Sequence, residues 1–278
     1  GIPGPTFRIL CKGKLLETMD PGQAFREAHK GAIMLHQGVT YVVNEMDLET
    51  HTVRVSETDV DYYTQPLKDV SLNVIETIES RLVNGMKCAF GEVDVTETIT
   101  GYKIKRKDTI IGVESLNLPP LTFRTKAFWI VPPDQIGKNV NAIERDLAGG
   151  LHGAEHAIIA LMPLHVMCDR WDIGGLSSPM FGENGEPVIF VYDAYEGGIG
   201  LAEKAYEVLP ALLSSAHELV RDCTCEKGCP SCIYSPKCGN DNQPLDKEAT
   251  ILILGEFCHE PAKTEPARGP ERSPTVCS

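Results

Sequence analysis

The sequence predicts an α+β protein with two parts, a strand-rich first part and an α/β second part that binds a metal. Short alternating apolar runs separated by turns fill residues 6–117, as expected for a small β-barrel or sandwich. Beyond residue 118 the apolar period lengthens to that of helices, and five cysteines crowd into residues 223–238. We therefore expect domains at 6–117 and 118–260, followed by a disordered tail at 261–278.

The composition is that of a globular protein with an acidic balance. The 278 residues are 42% hydrophobic and 23% charged, with a formal net charge of −13. No apolar run approaches the roughly 20 residues that cross a membrane, and no signal peptide opens the chain, so we expect a cytoplasmic protein without a membrane partner. The acidic balance argues against non-specific coating of nucleic acid, although the basic run at 103–107 allows a local groove.

The elements of the first part follow from alternation of apolar and polar residues. A short helix is expected at 21–29. Strands are expected around 39–43, 53–55, 93–95 and 102–104. The proline-rich stretch at 117–120 marks the seam between the two parts, and one more strand is expected at 121–131, where Pro132 and Pro133 end it.

The second part reads as helices around one buried strand. A helix is expected from residue 150 to Cys168, and a strand at 187–192. The stretch 196–200 is a glycine-rich turn, which suits either a phosphate bound at the following helix or merely a tight turn, and the tight turn is favoured. Long helices are then expected at 201–220 and 246–257.

The cysteine cluster is the strongest chemical signal. It reads Cys223-Thr-Cys225-Glu-Lys-Gly-Cys229-Pro-Ser-Cys232, with Cys238 six residues further on. A C-x-x-C pair lets two thiolates bind one ion from a tight turn, and four thiolates saturate a tetrahedral zinc in a closed, structural site. Five candidates for four positions leave one spare, which we expect to be Cys238. An iron–sulfur cluster is the alternative, because thiolates hold both metals.

A second motif, H-x-x-E-H, occupies His152, Glu155 and His156. Residues four apart share a helix face, so both imidazoles could hold one zinc while Glu155 polarises a bound water, as in an inverted zincin. Such a metallopeptidase needs a third ligand, for which Glu203 and Glu207 are the helical candidates. The alternative is that both histidines make polar contacts in the core or at an interface.

Three stretches, which occur in this order along the chain, resemble the C-terminal region of superfamily-2 DEAD/DEAH-box DNA helicases of the mitomycin-repair-factor type. They are AFREAHKGAIMLHQGVTYVV (24–43) with DVDYYT (59–64), LHGAEHAIIALMPLHVMCDRWDIGGLSSP (151–179), and VYDAYEGGIGLAEKAYE (191–207) leading into CTCEKGCPSCIYSPKCGN (223–240).

The resemblance implies an OB-like (oligonucleotide-binding-like) barrel followed by a zinc-binding domain with zinc on Cys223, Cys225, Cys229 and Cys232. It also implies a role in DNA repair, where a motor built from two RecA-like domains unwinds DNA. No G-x-x-x-x-G-K-[ST] motif occurs in this chain, so we expect it to be non-catalytic alone and to work with helicase motor domains in cis or in trans.

The OB-like barrel is expected to guide single-stranded DNA, which binds such domains through aromatic platforms and a basic groove. A protein-interaction domain, favoured by the acidic balance, and the metallopeptidase stay as alternatives to the helicase module. The candidate DNA-contact residues are Tyr41, Tyr62, Tyr63, Lys103, Lys105 and Arg106.

Overall fold

The computed structural model describes residue 2, residues 4–107 and residues 109–258, so the tail predicted at 261–278 lies outside the described residues. Its fold is a mixed α+β arrangement of two sheets and a layer of helices. No described helix combines the length and the apolar character that crossing a membrane requires.

The first sheet, named the small sheet, has five strands, and one helix packs on it. Its elements are β1 (Phe7–Cys11), β2 (Lys14–Met19), α1 (Pro21–Glu27), β3 (Ile33–His36), β4 (Val39–Asp47) and β5 (Thr52–Glu57). The strands lie in the order β2-β1-β5-β4-β3, with β1 and β5 parallel and the other neighbours antiparallel. Val43, Val53 and Val55 face inward and share a core with Phe25 of α1, which confirms the strands expected there.

The second sheet, named the main sheet, has six antiparallel strands in the order β10-β11-β9-β7-β6, with β8 paired to β7 as well. The strands are β6 (Tyr63–Val83), β7 (Met86–Arg106), β8 (Thr109–Ser115), β9 (Leu121–Val131), β10 (Ile173–Phe181) and β11 (Glu186–Asp193). The long β6–β7 hairpin contains three register shifts, and such bulges bend and twist a strand pair. The sheet accordingly curls into a half-barrel.

The strands that the sequence predicts for one small barrel are divided between the two sheets. β7 has 21 residues and joins the two predicted parts in one sheet, because it pairs with β8 over 101–106 and with β9 over 87–97. β8 precedes residue 117 and β9 follows it. The domain limits 6–117 and 118–260 therefore stay a prediction.

Five helices cover one face of the main sheet. They are α2 (Gln135–Ala142), α3 (Leu147–Val166), α4 (Leu201–Glu207), α5 (Leu209–Asp222) and α6 (Lys247–Cys258). Along β9, Phe128 and Ile130 point into the core under these helices, whereas Ala127 and Trp129 belong to a separate core on the other face. Successive side chains of β9 therefore pack alternately into two cores, one on each face of the sheet.

The central helix α3 lies against α6 at very short range. A Cβ at Gly150 would lie 2.6 Å from the Cβ of Ala249, so only glycine permits this approach. Thr250 donates a hydrogen bond of 3.1 Å to the carbonyl oxygen of Gly150, which ties the two helices together. The contact fixes α6, and with it the loop that precedes α6, relative to the histidines of α3.

The single helix predicted over 201–220 is wrong in one detail, because the helix breaks at Val208 into α4 and α5. Pro210 has no N–H to donate to the carbonyl oxygen of Tyr206. That oxygen accepts a hydrogen bond from the guanidinium of Arg81 instead. The break therefore ties the helical layer to the β6 strand.

Candidate metal centre and nucleic-acid surface

The segment between α5 and α6, residues 223–246, is named the cysteine loop. α5 ends at Asp222, and Cys223 follows in an extended conformation. Ile233 is fully buried in the helical core and anchors the loop. Gly228 has a φ of +117°, and a Cβ there would press on Ile233 at 2.7 Å, so a side chain at this turn is excluded.

Four sulfur atoms of the cysteine loop converge. The Sγ atom of Cys223 lies 3.5 Å from that of Cys225 and 3.6 Å from that of Cys229. The Sγ atom of Cys232 lies 3.5 Å from that of Cys225 and 3.8 Å from that of Cys229. The sulfurs of a disulfide lie about 2.0 Å apart, so these are four separate thiols. Four sulfurs around a tetrahedral zinc lie about 3.8 Å apart, which this group matches.

Polar groups around the sulfurs support a metal. The backbone N–H of Cys229 donates to the Sγ atom of Cys232 at 3.3 Å, as expected within a C-x-x-C turn. The ammonium of Lys247, which is only 7% exposed, donates to the carbonyl oxygens of Cys223 at 2.6 Å and Cys225 at 2.5 Å. Zinc with four thiolates carries a net charge of −2, and Lys247 offsets part of it.

The thiols of this group differ in acidity. Burial opposes ionisation of Cys225, but hydrogen bonds from Cys232, Cys223 and Cys229 lower the pKa of Cys225 to about 7. Burial raises the pKa of the Cys232 thiol to about 12. An incoming metal ion displaces the protons of these thiols, because only thiolates bind it.

Cys238 lies apart from the other four, beside the histidines of α3. Its Sγ atom is 3.4 Å from the Nε2 atom of His152. The rings of His152 and His156 have centroids 4.2 Å apart, as their spacing of four residues on a helix predicts. The structure thus brings together four of the five clustered cysteines and places the fifth beside the two histidines of the H-x-x-E-H motif.

The glutamates considered as a third peptidase ligand lie elsewhere. Glu207 accepts a hydrogen bond of 2.6 Å from Lys204, and Glu203 is exposed on α4. Within the described part of the chain, the group of close ligand atoms around His152 and His156 contains neither glutamate. Among the described residues, neither glutamate therefore supplies the third ligand that an inverted zincin needs.

The glycine-rich turn before α4 is closed by its own carboxylate. The Oδ2 atom of the fully buried Asp193 accepts hydrogen bonds from the backbone N–H groups of Ile199 at 2.6 Å and Gly200 at 2.9 Å. Its Oδ1 atom accepts another from Ala202 at 2.7 Å. A phosphate would need these same donors, so the tight-turn interpretation is confirmed.

Three of the predicted DNA-contact residues are turned inward or already paired. Tyr41 is 7% exposed and belongs to the core of the small sheet, so its ring offers no face to a base. Lys103 and Lys105 donate hydrogen bonds of 2.8 and 2.9 Å to the carboxylate of Asp241 in the cysteine loop. These lysines link β7 to the cysteine loop.

The other three lie nearer the surface. Tyr63 is 46% exposed, and its hydroxyl donates to the carbonyl oxygen of Lys107 at 3.0 Å. Arg106 has a half-exposed side chain that forms an ion pair of 2.9 Å with Asp61. Tyr62 is partly buried. Tyr63 and Arg106 are thus the residues of this set that a strand of DNA could reach directly.

Sequence reasoning missed Lys247 and Asp241, which hold the cysteine loop in place. Lys247 carried a usable signal, because a lysine at the N-terminus of a helix opposes the helix dipole and calls for a specific contact. Asp241 carried none, since the lysines that it binds are more than 130 positions away in the sequence.

Comparison with known proteins agrees with this geometry. A family model described as the MrfA Zn-binding domain matches residues 154–233. The match includes Cys223, Cys225, Cys229 and Cys232 and ends before Cys238. The prediction of a zinc site on four clustered cysteines is thereby confirmed, and zinc is preferred to the iron–sulfur alternative.

Relatives extend the similarity over most of the chain. The chain is 32% identical over 246 residues to the uncharacterized ATP-dependent helicase YprA of Bacillus subtilis, a match that covers 87% of this chain and 31% of that protein. It is 46% identical over 107 residues to an uncharacterized protein of Methanocaldococcus jannaschii, covering 37% of this chain and 96% of that protein.

One solved structure, the crystal structure of the helicase MrfA bound to DNA, aligns with a TM-score of 0.60 and 29% sequence identity. The alignment covers 91% of this chain and 34% of that one. This chain therefore spans about a third of the length of the helicases that it matches.

Proposed function

Because this chain belongs to the family of MrfA- and YprA-type helicases, as their C-terminal region with the MrfA Zn-binding domain, we propose that it serves as the C-terminal accessory module of an ATP-dependent DNA helicase in DNA repair. The observation that carries the proposal is the alignment of 91% of the chain with a helicase structure that contains DNA. A motor in cis or in trans would supply ATP hydrolysis.

In this module the zinc centre has a structural task. It joins the end of α5 to the start of α6. There Lys247 donates hydrogen bonds to the backbone carbonyl oxygens of two ligand residues, Cys223 and Cys225. Both helices pack with α3 on the main sheet. A zinc ion that closes the cysteine loop would therefore make the helical layer a rigid platform for motor domains.

The strand-rich part would guide single-stranded DNA in the manner of an OB-like barrel. The support is the exposed pair of Tyr63 and Arg106 near the β7–β8 turn, which combines a ring for stacking with a cation for phosphate. Lys103 and Lys105 would join this surface only after release from Asp241.

The test is a chimera in which this chain replaces the matching C-terminal region of YprA. We expect the chimera to unwind a duplex with a single-stranded tail, at a rate well above that of YprA truncated before this region. This chain alone should neither hydrolyse ATP nor unwind the duplex, because it has no phosphate-cradling lysine loop.

A Cys229→Ser chimera is the matched control, since it retains every residue of the motor and loses one zinc ligand. It should unwind no faster than the truncated protein. A chimera with native folding and full ATPase activity that unwinds no better than the truncated protein would contradict the proposal. The chain would then be better described as a protein-interaction domain.

A further inference from the structure

We propose that His152, His156 and Cys238 form a second metal site, separate from the four-cysteine zinc centre, which takes Zn²⁺ or a similar borderline divalent cation. One ligand atom from each of the three residues lies within 4.8 Å of the other two. The distance from Sγ of Cys238 to Nε2 of His152 is 3.4 Å. A sulfur and a nitrogen bound to one tetrahedral zinc lie about 3.5 Å apart, so a shared ion fits between them.

The hydrogen bonds of the two histidines fix which nitrogen is free. Nδ1 of His152 lies 2.8 Å from the carbonyl oxygen of Pro244, and Nδ1 of His156 lies 2.7 Å from that of Ile233. A carbonyl oxygen only accepts, so each Nδ1 carries the proton and donates it. A neutral ring that carries its proton on Nδ1 has a free lone pair on Nε2. Metal-binding histidines in proteins are oriented in this way.

The third ligand is held by a tight bend of the cysteine loop. Asp241 and Asn242 both have positive φ angles, +56° and +58°, which wrap the backbone around Cys238. The backbone N–H of Asn242 donates to the Sγ atom of Cys238 at 3.3 Å, an arrangement that favours a thiolate. Cys238 and His156 are buried, whereas His152 is partly exposed.

The ligand types select the metal. One thiolate and two imidazoles favour zinc over magnesium and calcium, which bind oxygen ligands. Three protein ligands leave the fourth position of a tetrahedral ion open. The three residues line a cavity of about 670 Å³, together with Glu155, Lys237 and Tyr195. The open position therefore faces this cavity and takes water or a small ligand with a lone pair.

This site is independent of the four-cysteine centre and of the helicase proposal. Cys238 lies beyond residue 233, where the family match ends. Its metal would join α3 to the cysteine loop, whereas the four-cysteine metal closes the loop on itself. It also differs from an inverted zincin site, because Cys238 takes the place of a carboxylate ligand.

The test is the zinc content of the full chain, purified with zinc present and desalted before elemental analysis. We expect two zinc ions per chain in the wild type and one in Cys238→Ser. His152→Asn should also hold one, since asparagine keeps an N–H near Pro244 and removes the Nε2 ligand. Cys168→Ser, a change at a cysteine outside both groups, should keep two. One zinc per chain in the wild type would overturn the proposal, as would two in Cys238→Ser.

Cobalt substitution checks the result where a variant loses stability. Co²⁺ bound by thiolate and imidazole in a tetrahedral site gives visible absorption. We expect cobalt titration of the wild type to proceed in two steps, with one step missing in His152→Asn and unchanged in Cys168→Ser. A single step in the wild type, or two steps in His152→Asn, would show that the His–Cys contacts are only hydrogen bonds.

Discussion

Cys232 has two tasks in the molecule. Its sulfur is one corner of the zinc centre, and its buried position beside Ile233 places it against the helical core. A change at this residue therefore affects metal binding and packing together. The other residue of this C-x-x-C pair, Cys229, is less buried, so a substitution there changes metal binding with less effect on core packing.

We expect Cys229→Ser to lose the metal of the four-cysteine centre and to lower the melting temperature, because a structural zinc contributes free energy of folding directly. Elemental analysis and thermal unfolding measure both effects. Cys258→Ser is the control, since Cys258 lies at the end of α6 and outside both ligand groups. Retention of all zinc by Cys229→Ser would show that another residue completes the centre.

Asp241 gives a pH-dependent contribution to stability. Hydrogen bonds from Lys103 and Lys105 hold the pKa of the Asp241 carboxyl below its ordinary value. The folded protein thus binds this proton less readily than the unfolded chain, whose aspartate pKa is about 3.9. The contribution is present above the unfolded pKa and is lost as the pH falls through the lower folded pKa.

Asp241→Asn should therefore lower the melting temperature at pH 7 and have a smaller effect at the acidic end of the range. Thermal unfolding of both proteins between pH 3 and 7, in excess zinc, measures the difference. Comparing the two proteins at each pH cancels the loss of metal, which acid causes in both. A difference that stays constant over this range would mean that the carboxylate charge does not matter.

At the scale of elements, the turn between β11 and α4 depends on Asp193. Loss of its carboxylate leaves the buried backbone N–H group of Ala202 and the partly buried ones of Ile199 and Gly200 without their acceptor, and an unsatisfied buried donor costs about 1–3 kcal/mol. We expect Asp193→Ala to reduce the free energy of unfolding by about 3 kcal/mol or more. Denaturant unfolding measures it.

The matched control is Asp134→Ala, because Asp134 precedes α2 and its side chain makes no capping hydrogen bond. That change should stay within about 0.5 kcal/mol of the wild type. Equal effects of the two substitutions would mean that Asp193 is not what holds the turn before α4.

Elements with a strong local pattern could be predicted, and those set by distant contacts could not. β9 was predicted with its observed limits, because alternation and two prolines mark it. β10 was not predicted, since Gly174, Gly175 and Pro179 suggest a turn and only pairing with β11 makes them a strand. The split between α4 and α5 follows from Pro210, which the apolar period conceals.

The same contrast holds for the sites. The four-cysteine centre is readable because its ligands lie within ten positions of each other. Cys238 could be named as the spare, but its place beside His152, 86 positions earlier in the sequence, depends on the fold of the segment between them. The ion pairs of Asp241 likewise join residues that no local pattern relates.

At the scale of the whole molecule, charge decides how the chain meets DNA. The formal net charge of −13 repels a phosphate backbone, so binding must be local and weak. In the region around Tyr63 and Arg106, an exposed ring and an exposed cation occur together. Lys103 and Lys105 lie on the same strand as Arg106 but are both paired with the carboxylate of Asp241.

We expect the isolated chain to bind single-stranded DNA with micromolar affinity or weaker. Each neutralised phosphate contributes a log–log salt slope of about −0.7, so three or four contacts give a slope of about −2 to −3. Fluorescence titration of labelled single-stranded DNA at low and moderate salt measures both quantities. Asp241→Asn should tighten binding and steepen the slope, because it frees two lysines for phosphate.

Arg106→Gln should weaken binding and make the slope shallower by about one contact. Arg54→Gln is its matched control, since Arg54 is similarly exposed and also pairs with a single exposed carboxylate, that of Glu45. Tyr63→Ala should weaken binding with little change in slope, because base stacking is worth about 1–3 kcal/mol and neutralises no phosphate. If Arg106→Gln and Arg54→Gln bind alike, the DNA path does not cross the β7–β8 turn. If no variant binds at low salt, the acidic surface is more consistent with a protein partner than with DNA.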